Sequence, residues 1–239
     1  MKTHVPVGAA ILLAFIRKTE TGRDDGSAYE TLYAHKEDNL PVPLTQMTVG
    51  DVVDAQKQWS RNWRSSACGA YQFIRATLVS LCKECSLSGT DRFTPDLQDR
   101  LGYHLLKRRG YAEFMAGEID LVEFGKRLAM EWASMPVLSA CRGAHRSLQR
   151  GQSYYAGDAL NKALVRPERF AAVIRKAYEA EHAPEPARED HPAGDPVPSS
   201  SPPVVHSRSP VAQGIAVAGM AVLAAVAAWG ADVWHWLGF

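Results

Sequence analysis

Glu20 closes an apolar stripe. Leu13, Ile16 and Glu20 stand at i, i+3 and i+7, on one face of a helix, and the helical pattern runs out at Gly22. A carboxyl that continues an apolar face loses water, and desolvation raises its pKa toward the range a general acid needs. Taken alone, the same residue also reads as a solvated glutamate at a frayed helix end. A second cluster runs from Ser65 to Phe73, Ser-Ser-Ala-Cys-Gly-Ala-Tyr-Gln-Phe. Its small residues allow close approach of backbone to backbone or ligand. Tyr71 and Gln72 add an aromatic face and an amide that both donates and accepts. That pairing suits a sugar, whose ring faces stack and whose hydroxyls bond; a tight loop leading into a core helix is the plainer reading. A third cluster, Gly151 to Asp158, is a turn by composition, and its Tyr155 is a candidate ligand wall.

Other chemistry is thinly supported. Four cysteines in 239 residues make no disulfide scaffold. Cys82 and Cys85 form a CxxC without a second pair at zinc-like spacing; Cys68 and Cys141 are isolated. No histidine cluster suggests a metal, and no cofactor is expected. Lys107, Arg108 and Arg109, and the row Arg142, Arg146 and Arg150, read as solvated faces or as surfaces for an anionic polymer or membrane.

These residues need elements to hold them. Thr94 is placed as an N-cap, with Pro95 at the first helical position and Asp96 in the first turn. Leu97, Leu101 and Leu105 then share a face, and Gly110 is a stop. Asp120 with Glu123 starts another helix, whose buried stripe of Leu121, Phe124, Leu128 and Trp132 runs toward Pro136. Thr48 and Asp51 open a further helix, with Val52 and Val53 buried. The segments Tyr71–Leu81 and Phe170–Tyr178 are also expected to be helical. Val5–Ile16 has the look of a signal-peptide core, but the small-residue cleavage pattern is missing and Arg17, Lys18 and Glu20 follow at once; a core helix is the preferred reading. The expected fold class is mostly α, with a short hairpin over Tyr29–Leu44.

Composition varies along the chain. Residues 1–180 read as a globular domain. Residues 181–210 hold eight of the 14 prolines, with too little apolar surface to offset the entropy of ordering, and read as a linker. Val211–Trp229 carries no charge. As a helix it would extend roughly 28 Å, close to a hydrocarbon core of about 30 Å, and is expected to be a transmembrane helix. Trp229, Trp234 and Trp236 sit where an interfacial belt would lie, and residues 230–239 form a short tail. With 27 Lys and Arg against 26 Asp and Glu, net charge +1, a nucleic-acid binder is not expected.

In order, these pieces resemble the phage lambda-type endolysins, single-domain muralytic enzymes of the lysozyme superfamily. The resemblance runs from about Leu12 to Pro136, and more loosely to Phe170 through Ser153–Lys162. Phe15–Gly22 matches the helix end that bears the family's catalytic glutamate, and Ser66–Phe73 is a second anchor. Phe93-Thr94-Pro95 with Gln98-Asp99, and Glu131-Trp132-Ala133-Ser134-Met135-Pro136, follow at the expected distances. The family's Gly-x-Tyr-Gln motif carries Arg or Ala at its second place; Ala70 here removes any basic contact. The linker and apolar tail are additions to the family's compact form.

The resemblance implies a lysozyme-like, two-lobed domain that cleaves the β-1,4 bond between N-acetylmuramic acid and N-acetylglucosamine in peptidoglycan. It implies Glu20 as catalytic acid and then base, with lytic transglycosylase chemistry and a 1,6-anhydro product, and Tyr71, Gln72 and Tyr155 as substrate-binding residues. A hydrolytic muramidase, which needs a second carboxylate, stays open, with Asp24, Asp25 and Glu30 near enough in sequence to apply. So do a non-catalytic membrane-tethered glycan-binding module and a membrane-perforating protein whose working part is the tail. The expected partners are glycan strands, the bacterial inner membrane through the C-terminal helix, and a holin-like permeabilising protein. Arg208 before the span biases the domain to the cytoplasmic side, where it would wait until lysis.

Overall fold

Val7–Thr21 (α1) is the helix against which much of the domain packs. In the computed structural model, which describes residues 5–158 and 161–184, α1 buries Ala9, Leu12, Leu13, Ile16 and Glu20 along one side. The stretch that resembles a signal core is thus the body of a core helix. Its start has Pro6 and no side-chain cap of its own. The cap comes from the last helix of the described residues: Glu181 of Pro167–Glu181 (α7) accepts from Gly8 N at 2.8 Å and from the Tyr111 hydroxyl at 3.2 Å. An anion on a helix N-terminus satisfies an orphan donor and the helix dipole together. A Cβ on Gly8 would lie 2.5 Å from the Ala177 carbonyl, so the glycine permits the α1–α7 approach. At the other end Gly22 takes φ +71° and donates to Lys18 O, ending the helix one turn beyond Ile16 and just past Glu20.

Five further α-helices lie between α1 and α7, and three of them open on side-chain caps their sequences dictate. Val49–Trp63 (α2) opens on a reciprocal Thr48–Asp51 capping box and buries Val49, Val52, Gln56 and Trp59, while Val53 is half-buried. Arg75–Glu84 (α3) buries Leu78 and Leu81. Pro95–Arg108 (α4) is capped by Thr94 and buries Leu97, Gln98, Leu101 and Leu105. After Gly110, at φ +92°, comes the short Tyr111–Met115 (α5). Leu121–Glu131 (α6) begins with Asp120 accepting from Glu123 N. It ends well before Pro136: Trp132 has already left helical geometry and is buried, and Leu121 is half-buried.

Two expectations are corrected. No hairpin forms over Tyr29–Leu44, which instead runs through short 3-10 turns. Pro41 and Pro43 lack the N–H a ladder needs, Ala34 and His35 have positive φ, and side chains take the backbone donors: Glu37 accepts from Leu32 N and Glu30 from Thr45 N. The sheet lies elsewhere, Cys141–Arg142 (β1) paired antiparallel with Ser147–Leu148 (β2). The segment from Tyr71 is not yet helical either. Cys68 and Phe73 exchange backbone bonds of 3.2 and 2.8 Å around a tight turn, with Gly69 at φ +73° and Gln72 at φ +49°, so α3 starts only at Arg75.

The 181–210 linker beyond Pro184, the 211–229 span and the 230–239 tail lie outside the described residues. Among the described residues no helix is long and apolar enough to cross a membrane.

Candidate active site

Two buried glutamines build the floor of the site. Gln56 of α2 donates to Ser66 O at 2.8 Å and Phe73 O at 2.9 Å. Gln98 of α4 accepts from Ala70 N at 2.9 Å and donates to Tyr29 O and Phe93 O, both at 3.1 Å. Both amides serve buried backbone groups of the loops, which must find partners away from water. Tyr71, Phe73 and Phe93 pack edge to face beneath that loop, with centroids 5.7 and 6.1 Å apart. The turn thereby becomes a rigid ledge.

Glu20 faces this ledge from the last turn of α1 and is 7% exposed. Its Oε1 accepts a hydrogen bond from Ser134 Oγ, in the segment after α6. The cations of its own helix end are turned elsewhere: Arg17 to the Tyr29 hydroxyl at 2.8 Å, Lys18 to Asp24 at 2.6 Å. Arg23, just past the helix, pairs with Glu37 at 2.6 Å. Burial therefore dominates and pushes the carboxyl from an ordinary 4.5 up to about 7, against the opposing pull of the Ser134 bond.

The carboxyl borders an open pocket. The ledge supplies Tyr71, Gln72 and Phe73; α3 supplies Thr77; the end of α4 supplies Leu105, Arg108 and Arg109; the end of α6 supplies Glu131 and Trp132; the last wall is Tyr155 and Asn161. The structure thus brings Glu20, Tyr71, Gln72 and Tyr155 to one pocket. Their free valences are narrower than the sequence suggests. The Tyr71 hydroxyl donates to Asp99 at 2.5 Å, and Tyr29 donates to the same carboxylate at 2.9 Å. Burial and the Asp99 charge hold both phenols protonated, Tyr29 pushed up to about 12 and Tyr71 higher still. Gln72 donates to Gly69 O at 2.9 Å, and the Tyr155 hydroxyl donates to Met130 O at 2.7 Å.

Three carboxylates weighed as partners for Glu20 are engaged elsewhere. Asp24 pairs with Lys18, Asp25 caps a turn by accepting from Ser27 N, and Glu30 holds Thr45; none of the three lines the pocket. The carboxylate that does is Glu131, closed on Arg109 Nε at 2.7 Å, with the two side chains 8% and 17% exposed. Sequence reasoning passed over this pair. The sequence reads Arg108 and Arg109 as part of a solvated face or of a surface for an anionic polymer or membrane; both line the pocket, and Arg108 is bound to Glu84 at 2.7 Å. It also gave no role to Ser134, Gln56 or Asp99, whose partners are distant in sequence.

The four cysteines are free thiols, and burial raises the Cys68 thiol far above its ordinary range. Among the described residues no set of His, Cys, Asp and Glu side chains gathers in a way that would hold a metal. What the arrangement offers is a desolvated carboxyl, Glu20, paired with none of the described cations, beside an aromatic and polar trough.

Residues 46–158 match the model of the protein family described as Endolysin, and that match supports an endolysin. Tyr71, Gln72, Glu131, Ser134 and Tyr155 fall within the matched span, and Glu20 precedes it. No curated protein and no solved structure matches the chain.

Proposed function

We propose that this chain is a peptidoglycan-degrading endolysin that cleaves the β-1,4 bond between N-acetylmuramic acid and N-acetylglucosamine as a lytic transglycosylase, with a lysozyme-like, two-lobed domain. The observation that carries the reading is Glu20: a buried carboxyl with no cation on it, its pKa raised to about 7, at the edge of a pocket walled by tyrosine, tryptophan and amide groups. A carboxyl of that pKa is protonated enough to give a proton near neutrality and weak enough to take one back.

In the first half of the reaction Glu20 gives its proton to the glycosidic oxygen as the C1–O bond breaks and positive charge develops at the muramyl C1. In the second half the muramyl C6 hydroxyl attacks C1. Its proton passes to the Glu20 carboxylate, the O6–C1 bond closes the anhydro ring, and the enzyme returns to its starting state. No water enters. A hydrolase of the ordinary kind uses two carboxylates flanking the bond; Asp24, Asp25 and Glu30 are engaged away from the pocket, which favours the single-carboxylate route. The ledge bearing Tyr71 and Gln72, together with Tyr155, forms the saccharide subsites.

Glu131 supports the second reading, a hydrolytic muramidase, because it is a carboxylate in the same pocket; its pairing with Arg109 holds it in place and leaves it ill-suited to move toward a sugar. Mass spectrometry of muropeptides released from purified walls separates the two. Transglycosylation gives non-reducing anhydro-muramic ends lighter by one water. Reducing ends as the main product would instead assign hydrolysis, with Glu131 as the first partner to mutate.

The sequence beyond Pro184 extends the proposal. Val211–Trp229 would anchor the enzyme in the inner membrane, with the catalytic domain on the cytoplasmic side until a holin-like protein permeabilises the membrane and the linker lets the domain reach the wall.

A further inference from the structure

We infer that Ser134 is a positioning residue for this reaction: by donating to Oε1 of Glu20 it leaves the transferable proton on Oε2, the oxygen left to the pocket, and it stabilises the carboxylate that remains once that proton has gone. The inference rests on the general acid–base reading of Glu20 proposed above.

Three observations carry it. First, Ser134 is the hydrogen-bond partner of the Glu20 carboxyl among the described residues, and Oε2 is not among the buried polar atoms left without a partner. Since Oε2 accepts no bond from the described residues, it keeps contact with the pocket's solvent. Second, Ser134 is 5% exposed and its segment is held from outside. The Ser134 carbonyl accepts from Leu164 N at 2.8 Å. The preceding Ala133 carbonyl accepts from Ser153 Oγ at 2.8 Å, and Met130 O, at the end of α6, accepts from the Tyr155 hydroxyl at 2.7 Å. The Gly151–Asp158 loop, which sequence reasoning offered as a ligand wall, thus also clamps the segment that presents the serine. Third, no charged group among the described residues competes for the role. Of the groups that share the pocket, Arg109 is closed on Glu131 and Arg108 on Glu84, while the Tyr71 hydroxyl is bound to Asp99. Along α1, Arg17 and Lys18 are turned to Tyr29 and Asp24. A hydroxyl that donates to one carboxyl oxygen disfavours a proton on that oxygen. It also favours the ionised form, since a hydrogen bond to a charged group is among the stronger ones. The serine proton itself never transfers; the proton that moves goes from Oε2 to the glycosidic oxygen and returns from the C6 hydroxyl.

The test is the pH–rate profile of wall cleavage by full-length wild type, Ser134→Ala, Ser134→Cys and Ser134→Thr, with Glu20→Gln as reference. It is paired with a carbon-13 NMR titration of the Glu20 carboxyl. Without the serine bond the acid form persists to higher pH. The alkaline limb and the NMR midpoint should therefore both move up by about one pH unit in the Ala and Cys variants. The maximal rate should fall about tenfold with apparent KM unchanged, and Thr should restore limb, midpoint and most of the rate. Cys nearly matches serine in size and is a weak donor, so it reads the same effect if the Ala variant fails to fold. Loss of rate with limb and midpoint unmoved, or Ala and Cys variants indistinguishable from wild type, or failure of Thr to rescue, overturns the inference. If Glu20→Gln cleaves walls as wild type does, it is the role of Glu20 that falls. If Glu20→Gln is inactive while Ser134→Ala keeps the wild-type limb, the inference on Ser134 falls alone.

Discussion

Glu20 holds a proton that an exposed glutamate would lose, and that has a thermodynamic consequence as well as a chemical one. Its pKa is about 7 in the folded protein against an ordinary 4.5. Between those values the native state binds more proton than the unfolded chain, so stability must fall as pH rises through this window. Below about pH 4.5 the site imposes no charge-burial penalty; above about pH 7 the full penalty applies, on the order of 3 kcal/mol. Glu20→Gln removes the titration while keeping the shape and an amide that can still meet Ser134. The variant should therefore gain stability over wild type as pH rises from 4.5 to 7.5, approaching that difference, and thermal or denaturant melts across the window measure it. A constant difference between the two proteins across the range would mean that Glu20 titrates like an exposed carboxylate. At this scale the sequence was informative where the signal was local. The i, i+3, i+7 placement of Leu13, Ile16 and Glu20 was enough to anticipate burial. Ser134 stands within the Glu131–Pro136 motif, but no local signal gives it a role, because its partner is 114 residues away.

The 66–73 loop and its two glutamine braces form the element that most needs its exact residues. Gly69 sits at φ +73°, and a Cβ there would collide with the Gln98 amide and come within 3.2 Å of the Phe93 ring. Gly69→Ala combines left-handed strain with loss of the Ala70–Gln98 bond and should cost about 2–4 kcal/mol, read as a lowered denaturant midpoint with unchanged slope. A loss below about 0.5 kcal/mol would show that the loop relaxes and that the ledge is not rigid. Element by element, the caps were legible: Thr48 with Asp51, Thr94 with Pro95, Asp120, and Gly22 all act where their residue types place them. The stretches Tyr29–Leu44 and Ser66–Phe73 were not. Their turns are held by Glu30, Glu37, Gln56 and Gln98 across gaps of five to 69 residues, and no local periodicity carries such bonds. The hairpin expected there and the early start assigned to α3 both failed for that reason.

Across the whole molecule, the functional reading depends on chain segments that meet only in the fold. Glu20 at the end of α1, the ledge before α3, the ends of α4 and α6, and the loop bearing Tyr155 converge on one pocket. The family match over residues 46–158 covers every one of these segments but the first. The order of the motifs along the chain pointed to an endolysin, which the match over residues 46–158 supports, while the pairing of Glu131 with Arg109, which bears on transglycosylation against hydrolysis, became visible only in three dimensions. The claim on which the account turns is that the carboxyl contributed by the unmatched N-terminal helix is the acid that works on the glycan bound by the matched segment. Its most direct test is the rate of wall cleavage by full-length Glu20→Gln, with folding verified by melting. The account predicts a loss of at least about a hundredfold, the low end of what a transferred proton contributes. A folded variant that clears walls within about threefold of wild type would contradict it.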